Sequence, residues 1–394
     1  MEKERNLNFD EIIDRRNTDS LKFDFAVRRG KPADILPLWV ADMDFRTSSF
    51  VLRAIKERTE HGIFGYTEAG ESYYEAVSDW MEKHHDLKVN REWVLVTPGV
   101  VFALAMAVKA YTEPGDAILI EQPVYYPISE VITDNGRKAV SSDLVLSGNG
   151  VYRMDFADIE EKIREHHIKL FILCSPHNPV GRVWTLEELK ELADICVRNK
   201  VILLSDEIHE DFVYPGHTHH TILNVDERLK DNSVTCTSPS KTFNLAGLQI
   251  SNIIIPNRDL RRRFRKQIDA AGFSQQNTLG LTACEAAYRH GEEWYQGVME
   301  YLRANLSFLK QYLCLSFPEV NVIEPEGTYL VWLDLRKLGL SDRELEDRIV
   351  HTAKLWLDGG AIFGPPGAGF QRINIATGRS VLKEALDRLC RIRE

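Results

Sequence analysis

The sequence predicts an α/β fold, with a large unit on a mainly parallel sheet flanked by helices and a smaller α/β unit beside it. Three observations predict it. Short apolar, β-branched runs alternate with helical patterns through the middle of the chain, as parallel strands and their crossovers do. Polar loops stand where those strands finish. Towards the C-terminus the texture changes to long helical patterns, then a strand, a helix and a Gly-rich segment.

Trp93 to Thr97 reads as a strand, Thr-Pro-Gly as its exit and Val100 to Tyr111 as the helix that follows. Ala117 to Glu121 is another strand, and Leu170 to Cys174 a third that leaves through Ser-Pro-His-Asn-Pro. Thr185 and Glu188 have the spacing of a capping box and open a helix that runs to about Asn199. Val201 to Ser205 is a strand ending at Asp206, and Ser233 to Thr237 one ending before Ser-Pro-Ser-Lys. The basic run Arg258 to Lys266 has the spacing of a solvated helix face. Helical patterns span about Leu279 to Leu315; Thr328 to Asp334 reads as a strand and Glu344 to Lys354 as a helix. Gly359 to Gly369 then leads into the strand Gln371 to Ile375. The expected division is 46–285 for the large domain, with 1–45 and 286–394 forming the small one. Loops 97–100, 174–181 and 205–209 all follow strands, and open α/β sheets bind ligands beyond the carboxyl ends of their strands. One shared site is therefore expected there.

A chain of 394 residues has room for two domains, and 44% hydrophobic with 27% charged residues is the mix of a soluble globular protein. No apolar stretch approaches the ~20 residues that span a bilayer. The charged N-terminus lacks the apolar core of a signal peptide, so a cytoplasmic location is expected. Six scattered cysteines without a C-x-x-C pair read as reduced thiols rather than a disulfide framework. A net charge of −10 argues against a nucleic-acid partner.

The strongest local signal is Ser238-Pro-Ser-Lys-Thr-Phe-Asn-Leu-Ala-Gly-Leu-Gln249, a lysine set among small and hydroxylated residues. Such a lysine at a strand end is either an ordinary loop residue or, with its pKa lowered, an amine able to form an imine with an aldehyde cofactor. Asp206 directly follows an apolar strand, where a carboxylate is a helix N-cap or the buried partner of a cation such as a protonated pyridine nitrogen. Asn178 lies between two prolines, in an Asx turn or as an amide aimed at a ligand. Thr97-Pro-Gly-Val-Val, at a helix N-terminus, offers backbone N–H groups to a phosphate. Gly216-His-Thr-His-His220 has no Cys, Asp or Glu at local ligand spacing, so it reads as a polar loop and no metal is expected. Gly364-Pro-Pro-Gly-Ala-Gly lacks the lysine of a phosphate loop and reads as a segment shaping a site near Arg372.

In combination these motifs resemble the fold-type-I pyridoxal-phosphate enzymes of the class I/II aminotransferase superfamily, and within it the MalY/PatB-like C–S β-lyases. The narrower resemblance rests on Leu38-Trp-Val-Ala-Asp-Met-Asp-Phe45, Phe64-Gly-Tyr-Thr67, Pro123-Val-Tyr-Tyr-Pro127, Asp206-Glu-Ile-His209, Lys241-Thr-Phe-Asn-Leu-Ala-Gly-Leu-Gln249 and Arg372-Ile-Asn-Ile-Ala376. It extends from about residue 36 to 378.

The resemblance implies an aspartate-aminotransferase-like fold with a seven-stranded sheet in the large domain. It implies pyridoxal 5'-phosphate as cofactor, with Lys241 as its Schiff-base lysine and Asp206 paired to the pyridine nitrogen. Asn178 would bond the phenolate oxygen. Tyr125 would stack on the ring, with Tyr126 as the alternative. Val100, Val101 and Ser238 would cradle the phosphate, and His209 would lie among the cofactor contacts. Tyr66 would reach the phosphate of a neighbouring subunit, which implies a homodimer. Arg372 would clamp the substrate α-carboxylate, with Asn178 beside it and the backbone of Val40 and Ala41 closing over it. Two positions depart from the common aminotransferase pattern, Gln249 in place of a basic residue and His209 in place of Tyr. Both favour the lyase branch: β-elimination from L-cystathionine or another cysteine S-conjugate. An aminotransferase acting on a neutral or aromatic amino acid is the alternative, and MalY-like proteins also act as regulators by binding another protein.

Overall fold

The computed structural model describes residues 4, 7–148 and 150–393. Its centre is a seven-stranded sheet in the order Val94–Thr97, Ser251–Ile254, Ser233–Thr237, Ile202–Asp206, Leu170–Cys174, Ala117–Ile120, Lys138–Ser141. Every neighbouring pair is parallel except those made by Ser251–Ile254, which runs antiparallel to both its neighbours.

The central strands are apolar throughout because both faces are covered. Successive side chains point to opposite faces. Ile118, Ile120, Ile172, Leu204 and Val234 pack on one side with the helices Val100–Tyr111 and Arg258–Ala270. Leu119, Phe171, Leu173 and Leu203 pack on the other with Leu186–Arg198 and Thr278–His290. In Arg258–Ala270 the apolar residues Leu260, Phe264 and Ile268 recur every fourth position and are buried, which leaves the basic residues between them mostly on the outer face. Thr185 and Glu188 form the expected capping box at the start of Leu186–Arg198.

A second, four-stranded antiparallel sheet has the order Asn321–Val322, Leu330–Asp334, Phe370–Asn374, Asp358–Gly359. The N-terminal part of the chain joins this region. Leu36–Pro37 pairs in parallel with Leu355–Trp356, and the Leu38 carbonyl accepts from Asn374 N at 2.9 Å. Buried Lys22 anchors the same stretch through Asp44, 2.9 Å away.

Several elements differ from the sequence expectation. The helical pattern from Leu279 to Leu315 is two helices, Thr278–His290 and Glu292–Ser316, broken at Gly291. A Cβ there would lie 2.3 Å from the Phe243 ring, so the break is a close approach that no side chain fits. Glu344 to Lys354 is a short helix, Asp342–Asp347, that widens into a π-helical turn over Arg348–Thr352. Arg91–Trp93 is a 3-10 turn, and the first strand begins at Val94. Among the described residues no helix is long and apolar enough to cross a membrane. All six cysteines are free, four of them buried.

Candidate active site

The three post-strand loops do meet. Pro98 to Val101, Cys174 with Asn178, and Asp206 with Ile208 and His209 line one cavity, together with Tyr125, Ala41, Ser240, Lys241 and Gln249.

Lys241 is placed by the short helical turn Pro239–Thr242, which Ser238 caps by accepting from Ser240 N. Its Nζ donates to the Ala41 carbonyl at 2.7 Å. Its pKa is lowered to about 8, by burial first and by the Arg372 charge, against the upward pull of Asp42 and Asp206. Asp206 ends its strand and is buried. Its Oδ1 accepts from Ile208 N at 3.2 Å, so it does cap the turn, but it has no salt-bridge partner among the described residues. Burial raises it to about 7, against the pull of the Ile208 N–H and of Lys241. A buried carboxylate without a counter-ion is a site waiting for a cation.

Arg372 lies on Phe370–Asn374, opposite Asp358 in the strand register. One fork nitrogen, Nη1, donates to Asn178 Oδ1 at 2.8 Å. The other, Nη2, donates to the Trp39 carbonyl at 2.9 Å and also to Asp358 Oδ2. Its Nε is buried without a partner, and the Phe363 ring lies 4.8 Å from its central carbon. Phe363 belongs to the Gly-rich loop, whose backbone is fixed by a bond from Val124 N to the Phe363 carbonyl at 2.9 Å. The loop expected to shape the site thus packs against Arg372, and none of its residues lines the cavity. Asn178 in turn takes a bond from Tyr125 N on its own carbonyl at 3.0 Å, which ties the cavity's aromatic residue to the arginine's amide.

Val100 and Val101 open a 12-residue helix at Gly99, which has φ 149° and no side-chain cap, so the first N–H groups have no partner within the helix. His209 is buried and held well below the ordinary histidine value by burial, then by Lys241 and Arg372; it is a neutral imidazole. Val40 lines an adjoining hollow shared with Ala41 and Lys241, and its carbonyl accepts from Asn374 Nδ2 at 2.7 Å.

Four expected residues do not line the cavity: Arg372, which meets it through the lining residue Asn178, Val40, Ser238 and Tyr66. Ser238 does not line it; its hydroxyl donates to the Ile250 carbonyl at 2.7 Å, and Ser240 lines the wall instead. Tyr66 is 93% exposed and lies outside the lining in this single chain. Tyr125 rather than Tyr126 lines the cavity.

Sequence reading missed Asp358 and Tyr329. Asp358 meets Arg372 only across a strand pair, and Tyr329 Oη donates to the Ala41 carbonyl at 3.0 Å from far along the chain. The sole sequence hint for Asp358 was an acid closing the apolar run Leu355-Trp-Leu. The reading of 216–220 as a polar loop also needs correction, because His219 is buried against Glu207 at 3.2 Å.

A buried lysine of lowered pKa, a carboxylate without a counter-ion and an arginine fork, gathered at one end of such a sheet, point to a class of enzyme. The chain belongs to the class I and II aminotransferase family, which matches residues 33–389. It is 42% identical to cystathionine beta-lyase PatB of Bacillus subtilis, over 97% of this chain and 99% of that one. To protein MalY of Escherichia coli it is 32% identical, over 96% of each. Its fold is similar to that of cystalysin from Treponema denticola, whose crystal structure contains a pyridoxal 5'-phosphate cofactor, with a TM-score of 0.94 at 38% identity over 98% of each chain. The narrower resemblance to MalY/PatB-like proteins agrees with these relatives.

Proposed function

We propose that this chain is a pyridoxal-phosphate-dependent C–S β-lyase that cleaves L-cystathionine or a related cysteine S-conjugate to a thiol, pyruvate and ammonia. The observation that carries it is one cavity lined by Lys241, an uncompensated Asp206 and Asn178, with the Arg372 fork bonded to Asn178, in a chain 42% identical to a cystathionine beta-lyase. The residues present fit the cofactor. The Asp206 carboxylate lacks a cation that a protonated pyridine nitrogen would supply, and free N–H groups at Val100 and Val101 suit a phosphate. When bound, pyridoxal phosphate supplies an electron sink that makes the substrate Cα–H acidic.

The chain's own residues do the rest. Arg372 binds the substrate α-carboxylate through its fork, with Asn178 and the Trp39 carbonyl fixing the plane of the guanidinium. Lys241 Nζ, its pKa lowered to about 8, would be the base that removes the Cα proton. Tyr125 covers the cavity wall, His209 contributes a neutral ring, and Val40 and Ala41 close over the carboxylate. Ser238 supports the phosphate end through the turn it caps. Tyr66, exposed here, reaches the cavity of a second copy in a homodimer. The same reading divides the chain into 46–285 and, together, 1–45 with 286–394. It also puts the protein in the cytoplasm, where free thiols such as exposed Cys314 stay reduced.

The family's aminotransferase members favour a second reading, since proton return to the cofactor in place of thiolate departure would give transamination with the same residues. One incubation separates the two: purified holoenzyme with L-cystathionine, without any keto acid, following pyruvate and free thiol. Sustained, equal release of both supports the lyase. A single turnover per site, renewed only by adding a keto acid, would make the chain an aminotransferase.

A further inference from the structure

The buried face of the turn after Ile202–Asp206 carries a second cluster that the proposed chemistry does not use. Asp206, Ile208 and His209 face the cavity, whereas Glu207, Glu210 and Asp211 do not line it. Glu210 is 3% exposed and meets His85, from the end of helix Glu71–His85, with 3.9 Å between Oε2 and Nε2. His219 comes in from the loop that the sequence left without carboxylate partners. His85, Glu210 and His219 each offer one ligand atom, and the three atoms lie within 4.8 Å of one another.

The surrounding bonds leave two atoms of this trio unsatisfied. Glu207 is spent on His219 Nε2 at 3.2 Å and on Ile222 N at 2.9 Å. Asp211 accepts from His85 Nε2 at 2.9 Å and Trp80 Nε1 at 3.2 Å, with its other oxygen on the Thr242 hydroxyl. Glu210 Oε2 and His219 Nδ1 are left buried with no hydrogen-bond partner. Buried polar atoms are nearly always satisfied, so two orphans in one cluster call for a missing group.

We infer that His85, Glu210 and His219 form a site for a divalent transition-metal ion of the Zn2+ type. Two imidazoles and a carboxylate are donors that such ions take in tetrahedral geometry, with ligand bonds near 2.0–2.2 Å. Glu207, bonded to the far nitrogen of His219, orients that ring as an outer carboxylate does around zinc. The site is structural rather than catalytic. Asp211 connects it to Thr242, the neighbour of Lys241, so the ion would brace the turn that presents the lysine.

Tag-free holoenzyme is stripped with a chelator, equilibrated with Zn2+ or Co2+ alone, passed through a desalting column and analysed for metal by mass spectrometry. About one ion per chain is expected, with a Co2+ d–d absorption to the red of the cofactor band and a rise in Tm on metal addition. Glu210→Gln, which preserves shape, and His219→Gln should each weaken binding by more than about 100-fold while keeping bound cofactor. Metal at the level of the buffer blank in the wild type would overturn the proposal, since that measurement needs no variant to fold. Equal metal content in the wild type and both variants would overturn it as well, because the ion would then sit elsewhere.

Discussion

Lys241 owes its reactivity to where it lies: burial removes water from its ammonium, and Asp42 and Asp206 restore only part of that loss. A pKa lowered to about 8 means the apoprotein holds the charged, unreactive amine below that pH and the nucleophilic amine above it. The rate of pyridoxal phosphate uptake by apoprotein should therefore climb about tenfold per unit from pH 6 to 7 and level off above about 8. Stopped-flow absorbance reads this directly, and a rise continuing past about pH 10, as for an exposed lysine, would contradict it. Asp358 makes a second test. Asp358→Ala leaves the buried Arg372 fork without its anion and should lower kcat/KM by roughly 10–100-fold, whereas Asp358→Asn keeps an acceptor oxygen and should stay much closer to wild type. Steady-state kinetics on both variants decide it. That Lys241, Asp206 and Asn178 meet at one cavity, with Arg372 bonded to Asn178, was legible because each sits in a short local motif at a strand end or on a strand. Asp358, Tyr329 and the His85–Glu210–His219 cluster were not, because their partners lie across a sheet or on a distant helix, and spacing along the chain carries no trace of that.

The strands supply the frame and the loops after them the chemistry. Leu170–Cys174 and Ser233–Thr237 were legible to the residue, since a strand covered on both faces is an unbroken apolar or β-branched run. Ser251–Ile254 was not read as a strand, although it lies between two others; its antiparallel pairing follows the lysine turn and has no crossover helix to announce it. The loop carrying Phe363 depends on glycine at one crossing. Gly360 and Gly367 pass so close that a Cβ on Gly360 would lie 1.9 Å from the Gly367 carbonyl oxygen. Gly360→Ala should displace Phe363 from Arg372, raise the KM for the amino acid by roughly 10-fold and destabilise the fold by about 1–3 kcal/mol. An unchanged KM with a lowered Tm would mean that the loop packs the fold without shaping the site. Where periodicity alone guided the reading, as from Leu279 to Leu315, it missed the break, because what ends the first helix is the Phe243 ring pressed against Gly291.

At the scale of the whole molecule, the parallel sheet gathers loops from distant parts of the chain at one edge, while the N-terminal stretch and Arg372 close that edge from the other side. Exposed Ile63, Phe64 and Tyr66 form an apolar stretch that a second copy would cover. Light scattering should give twice the chain mass, and Tyr66→Phe should weaken cofactor affinity by about 10–100-fold, the worth of a hydrogen bond to a charged group. An unchanged affinity would remove Tyr66 from the shared site. The fold class was legible from the alternation of strands and helices, but the joining of the N-terminal strand to Leu355–Trp356 was anticipated only as a general association, since a two-residue pairing leaves no pattern in sequence. All of the proposed chemistry turns on a single amine, Lys241 Nζ. Borohydride reduction of the holoenzyme fixes the cofactor to whichever nitrogen holds it, and peptide mass spectrometry then locates that nitrogen. The cofactor's added mass on the peptide containing Lys241, and on no other, is the predicted result; the mass on a different lysine, or no covalent cofactor at all, would contradict the site and the function built on it.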